Sequence, residues 1–207
     1  MKQKGTERTQ HNGHGNSEIQ QYGTVVNRPI SLDSKVRQTN CEKLNQILAD
    51  TITLRDMYKK HHWQVAGPTF YQLHLLFDKH FAEQAELVDT LAERVQTLGG
   101  VAIAMAHDVA ETTTIARPPR GRETVNVQLF RLLEAHEQII AETREAADAA
   151  DEDGDLGTND ILVSEVLRTN EFQVWFITEQ LANTGIEEKG GAEAAMPELA
   201  GSRRGGH

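Results

Sequence analysis

The stretch that decides the fold is HHWQVAGPTFYQLHLLFDKHFAEQAELVDTLAE, residues 61–93. Gly67-Pro68 interrupts any helix that enters it, because both residues disfavour helical continuation. Beyond that break, apolar residues recur at spacings of three and four, which predicts one amphipathic helix from about Thr69 to Leu98. Gly99-Gly100 follows directly, as glycine commonly does after a last helical turn. The predicted apolar stripe contains Leu73, Phe77, Phe81, Ala85, Val88, Leu91, Val95 and Leu98.

The same periodicity predicts three more long helices. They cover about Ser34–His61, Glu123–Ala150 and Thr158–Ala182, and their core candidates include Phe130 and Trp175. Segment 101–120 is long enough to cross the full length of a bundle, and we expect it to carry a short helix around Met105–Glu111. Two short turns and one long crossover predict an all-α, ferritin-like four-helix bundle.

Composition limits the class of protein. The 207 residues carry a formal net charge of −10, which argues against a folded domain whose whole surface binds nucleic acid. The single cysteine, Cys41, excludes a disulfide framework and a cysteine-rich zinc module. No apolar run reaches the roughly 18 residues of a membrane span, and the N-terminus lacks the apolar core of a signal peptide. These features predict a cytoplasmic protein that does not bind membranes.

Charge and composition divide the chain into three parts. Residues 1–31 have four basic and two acidic side chains, and their polar, glycine-containing sequence predicts a flexible, weakly basic tail. Residues 32–186 form the predicted bundle, and residues 187–207 are predicted to be a second flexible tail.

The predicted second helix carries four side chains that can bind metal ions on one stripe: His74, Asp78, Asp89 and Glu93. The two residues of each i, i+4 pair can bind the same metal ion. The two pairs, however, are separated by about 16 Å along the helix axis, at 1.5 Å per residue. An antiparallel copy of the helix, related by a two-fold axis near Glu83–Gln84, would bring the first pair of one chain to the second pair of its mate. His62, at the end of the first helix, is close enough in sequence to complete the first pair.

Two imidazoles and three carboxylates make a mixed nitrogen and oxygen ligand set. Such a set suits Fe(II) and also accepts zinc or manganese. Predominantly carboxylate ligation favours the ferric product, so the pattern predicts a site that promotes oxidation of Fe(II).

The complete pattern, His62-x11-His74-x3-Asp78-x10-Asp89-x3-Glu93, resembles the Dps family of miniature ferritins, the DNA-binding proteins from starved cells. The resemblance extends over about residues 33–183 and includes the segments Gly-Thr-x-Asp-Ile-Leu at 157–162 and Trp-Phe-Ile at 175–177. It does not cover the two tails.

The resemblance implies a hollow homo-dodecameric shell with ferroxidase sites at its two-fold interfaces. One subunit would contribute His62, His74 and Asp78, and its mate would contribute Asp89 and Glu93. Such proteins oxidise Fe(II) with hydrogen peroxide, or less readily with dioxygen, and store ferric mineral, which protects against oxidative stress. Trp63 would either take up stray oxidising equivalents or serve as a packing aromatic, and both interpretations stay open.

Three further interpretations are weighed beside this one. The resemblance implies acidic three-fold pores for ion entry, for which Asp155 and Asp160 are candidates, although the acidic turn around them could simply be solvated. We place four other histidines outside the site: His61, His80, His107 and His136, the last two as surface residues. The alternative function is that of a structural nucleoid protein that coats DNA and whose metal site mainly serves assembly; the small charge of the first tail weakens it.

Overall fold

The computed structural model describes residues 18–182, and the two tails beyond them lie outside the described residues. All regular elements in this part of the chain are helical. They are α1 (Ser34–Gln64), α2 (Phe70–Leu98), α3 (Ala106–Thr112), α4 (Val125–Glu152), α5 (Leu156–Ile161), a π-helical segment (Leu162–Leu167) and α6 (Arg168–Leu181). The predicted four-helix bundle with a short crossover helix is confirmed. None of the helices described is long and apolar enough to cross a membrane.

Helices α1 and α2 form the antiparallel hairpin that carries the candidate site. The Asp33 side chain caps the start of α1 by accepting a hydrogen bond from the Lys35 amide at 2.7 Å. Gly67, with φ of +105°, makes the turn between the helices, and Gly99, with φ of +91°, ends α2. A Cβ atom at Gly99 would lie 2.5 Å from the Val26 carbonyl oxygen, so no larger residue fits there.

The described end of the N-terminal arm is attached to the bundle. The Val26 amide donates to the Gly99 carbonyl at 2.8 Å, and the Gln20 side chain donates to the same oxygen at 2.9 Å. The buried Arg37 guanidinium joins the two segments by donating to the Val26 and Leu98 carbonyls. Within residues 18–31, which were predicted to be part of a flexible tail, Gln20 and Val26 are thus hydrogen-bonded to the end of α2, while most side chains of the segment, such as Ile19, are exposed.

The buried face of α2 departs from the predicted apolar stripe only in the middle of the helix. His80, Gln84 and Leu87 are buried there, whereas the predicted Phe81, Ala85 and Val88 are only partly buried. The other five predicted residues are buried as expected: Leu73, Phe77, Leu91, Val95 and Leu98. The same error occurs in other helices: Phe130 and Trp175 are exposed, while the polar His136, Asn170 and Gln173 are buried. Polar residues therefore occupy the middle of the core, which apolar periodicity alone could not reveal.

The fourth long helix is not a continuous α-helix. Between α5 and α6, Leu162–Leu167 adopts π-helical geometry, which accommodates an additional residue in a helical turn. Leu162 and Val166 of this segment remain buried, so the segment stays packed on the bundle. The wider turn changes the angle at which the later side chains leave the helix axis. The segment brings Asn170 and Gln173 of α6 into the core.

Candidate metal site

His62 and His74 form the centre of the candidate site, where the end of α1 meets the start of α2. His62 Nδ1 lies 2.8 Å from the His74 carbonyl oxygen, and His74 Nδ1 lies 2.9 Å from the His62 carbonyl oxygen. Because a carbonyl oxygen can only accept, both Nδ1 atoms carry the hydrogen and donate it. The two rings stack with centroids 3.8 Å apart at 19°. The lone pairs of both Nε2 atoms are therefore directed away from these bonds and remain available for a metal ion.

Asp78, the third predicted ligand of this half, lies near the two histidines. Its Oδ1 atom lies 3.9 Å from His62 Nδ1 and 2.5 Å from the Lys59 ammonium. The hydrogen bond from Lys59 is the main reason that the pKa of Asp78 lies below its usual range, and the nearby imidazoles act in the same direction. The carboxylate is thus ionised and half exposed. Lys59 was not predicted, although its position one turn before His62 on the same helix was a usable signal.

Asp89 and Glu93 lie further along α2, where their side chains are exposed. They are about 16 Å or more along the helix axis from Asp78, so one protomer does not bring the two halves together. Within residues 18–182, no group of three or more His, Cys, Asp or Glu side chains could hold a metal ion on its own. A single protomer thus holds the two groups of candidate ligands apart: His62, His74 and Asp78 lie where α1 meets α2, and Asp89 and Glu93 lie further along α2.

Trp63 follows His62 directly, and its side chain is 70% exposed. It forms part of a groove between α1 and the crossover, together with Met57, Val109 and Ile115. The indole therefore lies next to the crossover, and both roles considered for Trp63 stay predictions.

The acidic pore prediction fails for Asp155. This residue is 1% exposed, and its carboxylate accepts hydrogen bonds from Asn40, from the Thr158 amide and hydroxyl, and from Arg94. Burial by itself raises the pKa of Asp155, but these donors outweigh it and lower the pKa below its usual range. Asp155 therefore caps α5 and pairs with Arg94, which leaves it no free surface for a pore. Asp160 is exposed and remains a candidate.

The other histidines divide into surface and core residues. His107 is exposed as predicted, but the prediction that His136 is a surface residue is wrong, because His136 is fully buried. His61 and His80 are also fully buried. Burial lowers the pKa of each of these three buried imidazoles to about 3, so all three are neutral near pH 7.

Comparisons with known proteins agree with this architecture. The family model of the ferritin-like domain matches residues 41–185. The structure of DpsC from Streptomyces coelicolor is 57% identical in sequence, with a TM-score of 0.81 over 83% of this chain and 99% of that chain. The archaeal Dps homologue of Halobacterium salinarum is 27% identical, with a TM-score of 0.79 over 84% of this chain and 96% of that chain.

A curated relative extends the comparison to sequence. The DNA protection during starvation protein of Agrobacterium fabrum is 33% identical over 146 residues, which cover 70% of this chain and 90% of that protein. The fold, the domain match and these relatives lead to one conclusion: the chain belongs to the Dps family of ferritin-like proteins.

Proposed function

We propose that this protein oxidises Fe(II) with hydrogen peroxide, or with dioxygen, at sites shared by two protomers, and stores the ferric product inside a homo-dodecameric shell. The observation that carries the proposal is the reciprocal histidine arrangement. Both Nδ1 atoms donate to backbone carbonyls, which leaves the two Nε2 lone pairs for a metal ion, and the ionised Asp78 carboxylate lies 3.9 Å from His62 Nδ1.

The second half of the site supports a shared arrangement. Asp89 and Glu93 are too far from Asp78 to reach it within one straight helix, yet all three side chains are exposed. An antiparallel copy of α2, centred near Glu83–Gln84, would place each half opposite the complementary half of its mate. The small, accessible Ala82 on this face permits close approach of the second helix.

The residues present fit iron as a substrate. Imidazole nitrogen and carboxylate oxygen are ligands that Fe(II) accepts, and the three carboxylates stabilise the higher charge of Fe(III). Two Fe(II) ions supply the two electrons that reduce one hydrogen peroxide to water, so the reaction consumes both reactants of hydroxyl-radical chemistry. The chain positions the imidazoles through backbone carbonyls and holds Asp78 ionised. Zinc is the alternative occupant of the same ligands.

The central experiment mixes metal-free protein with Fe(II) under anaerobic conditions, adds peroxide or air separately, and follows ferric absorbance together with particle size. We expect His62→Ala and Asp78→Ala to slow oxidation at least tenfold without reducing particle size. Glu86→Ala is the matched control, because Glu86 is an exposed carboxylate of the same helix outside the ligand set. Wild-type oxidation no faster than in buffer would refute the ferroxidase proposal.

A mixing experiment tests whether the site is shared. One variant carries His62→Ala and Asp78→Ala, and the other carries Asp89→Ala and Glu93→Ala. Neither is active alone, but each mixed dimer regenerates one intact site from the unmodified halves. Random pairing of equal amounts is therefore expected to restore about a quarter of the wild-type rate. No recovery from well-mixed particles would contradict a site formed between protomers.

The DNA-coating alternative is favoured by the names of several relatives, among them a nutrient stress-induced DNA-binding protein of Nostoc that is 33% identical over 153 residues. In this chain the basic arm lies largely outside the described residues, and the net charge of −10 opposes phosphate binding. A gel shift of duplex DNA at physiological salt that disappears when residues 1–17 are removed would support this function. Removal of only these residues preserves the segment packed on the bundle.

A further inference from the structure

A third aromatic ring lies against the two imidazoles of the candidate site. Phe70, the first residue of α2, has its ring centroid 5.1 Å from that of His74, and the two ring planes are inclined by 30°. The two residues are four positions apart and therefore share one face of the helix. His62 already covers one face of the His74 ring at 3.8 Å, so Phe70 packs on the side that His62 leaves open. A phenyl group has no donor atom for a metal ion, which places Phe70 outside the proposed ligand set.

The Phe70 ring contributes little to the hydrophobic core. It is 44% exposed, whereas Leu73 and Phe77 of the same helix are 1% and 0% exposed. The turn before α2 sets the position of Phe70 through the backbone, since the Phe70 amide donates to the Gly67 carbonyl at 3.0 Å. The buried Leu73 and Phe77 then fix the angular position of the helix. A change of the Phe70 side chain should therefore leave the hairpin folded and act mainly on the ring contact with His74.

Within the described residues, the His74 ring makes one hydrogen bond. Its Nδ1 atom donates to the His62 carbonyl oxygen at 2.9 Å, which fixes one edge of the imidazole. A ring attached at one edge can still rock about that bond, and such rocking moves Nε2, the atom that has to face a metal ion. Rings packed on both sides of the imidazole oppose this motion through van der Waals contact. Metal ions such as Zn²⁺ bind imidazole nitrogen at about 2.0–2.1 Å, so the position of Nε2 allows little error.

The shape of the Phe70 side chain distinguishes an effect on His74 from a general structural role. An apolar residue that only covers the start of α2 could be replaced by any apolar side chain of similar size. A side chain that acts on the face of an imidazole has to be flat. Contacts between aromatic rings contribute an amount that corresponds to roughly two- to tenfold in an equilibrium constant, which sets the size of the expected effect.

We propose that Phe70 is a positioning residue for His74, whose ring it holds in the orientation that directs Nε2 toward the shared metal site. Phe70 acts through His74 and does not touch the metal ion. The inference rests on the proposed function only in that His74 is a ligand, and it does not depend on oxidation of the bound metal. Metal binding then starts from an imidazole that is already oriented, so less conformational entropy is lost when the metal–nitrogen bond forms.

The test titrates assembled, metal-free protein with Co(II) under anaerobic conditions and follows binding by calorimetry and by visible absorption, which reports the geometry of the bound ion. Phe70→Leu keeps an apolar side chain but removes the flat ring, and it should raise the Kd for Co(II) about three- to tenfold. Phe70→Tyr retains a flat ring and should bind Co(II) with the affinity of the wild type. Tyr71→Leu is the matched control, because Tyr71 is the adjacent aromatic residue of α2 and is 70% exposed. This control should leave the Kd unchanged.

A double-mutant cycle separates positioning of His74 from a general effect on the site. In a His74→Ala background, Phe70→Leu should have no further effect on the Kd, because the ring on which Phe70 acts is gone. A loss of the same size in both backgrounds would overturn the inference, as would a Phe70→Leu variant that binds Co(II) like the wild type. Where His74→Ala binds Co(II) too weakly to measure, Phe70→Tyr decides, since losses equal to those of Phe70→Leu would also overturn the inference.

The same titrations distinguish this inference from the proposed function. If Phe70→Leu weakens Co(II) binding as expected but the wild type oxidises Fe(II) no faster than buffer, the ferroxidase proposal fails and the positioning role of Phe70 stands. If the wild type oxidises Fe(II) and Phe70→Leu leaves Co(II) binding unchanged, the inference fails and the ferroxidase proposal stands. A wild-type protein that binds no Co(II) would overturn the inference together with the ligand set.

Discussion

Lys59 competes with metal ions for Asp78, and its removal should strengthen metal binding. The Lys59 ammonium lies 2.5 Å from Asp78 Oδ1, so a cation that uses this oxygen has to displace it. The pair is partly exposed, with side chains 28% and 50% accessible, and exposed ion pairs contribute about 0.2–1 kcal/mol. An ammonium that stayed about 5 Å from a dication would add roughly 1.7 kcal/mol of repulsion in a water-like dielectric. We therefore expect Lys59→Met to favour binding by about 1–2 kcal/mol, or roughly five- to thirty-fold in Kd.

The assay is anaerobic isothermal titration of metal-free protein with Fe(II), repeated with Zn(II). Lys60→Met is the matched control, because Lys60 is the neighbouring lysine and approaches Glu123 at 4.0 Å rather than Asp78. The Lys59→Met variant should also lose part of its affinity gain at high salt, since salt screens the repulsion between the Lys59 ammonium and the metal ion in the wild-type protein. An unchanged or weaker affinity in Lys59→Met would contradict ligation of the metal ion by Asp78.

Two further predictions concern stability. Asp155→Asn should lower the free energy of unfolding by about 3 kcal/mol, because it leaves Arg94 without its buried partner and places an amide group among hydrogen-bond donors. The control Asp160→Asn, at an exposed position, should change the free energy of unfolding by less than about 0.5 kcal/mol. Equal effects of the two variants in denaturant titrations would contradict a structural role for Asp155. Burial, followed by the charge of Asp50, raises the pKa of Glu142 to about 7, so its folded-state pKa lies above its usual value of 4.5. Its stabilising contribution is complete below about pH 4.5 and is lost as the pH rises through about 7. Glu142→Gln should remove about 1 kcal/mol of this pH dependence, discounted for partial exposure, when thermal midpoints at pH 5 and pH 8 are compared.

The sequence predicted the helices well because long amphipathic segments are bounded by strong local signals. Gly67-Pro68 and Gly99 fix both ends of α2 through backbone conformations that other residues rarely adopt. The angular position of each helix was harder to predict. His80 and Gln84 lie in the core because they bond to partners on other helices, and those partners are distant in sequence.

The spacing of residues in the sequence was enough to predict the candidate ligands, but not the hydrogen bonds that surround them. The spacing of His62, His74 and Asp78 reflects a helical hairpin, so sequence alone indicated that they meet. The hydrogen bonds from His62 Nδ1 and His74 Nδ1 to backbone carbonyls depend on the geometry of the turn between α1 and α2. That geometry cannot be predicted from the residue types alone. The error at Asp155 has the same origin, since Arg94 is 61 residues away along the chain and only the fold brings them together.

The π-helical segment Leu162–Leu167 sets the angular position of every later residue in this helix. Each residue of an α-helix advances the side-chain direction by about 100°, so loss of one residue here would turn everything downstream by that angle. Asn170 and Gln173 would rotate away from Gln84, and Glu171 and Val174 would take their places in the core. Natural variation in this stretch should therefore keep its length, as well as the apolar character of the buried Leu162 and Val166, because a single-residue deletion changes which side chains fill the interior of the bundle.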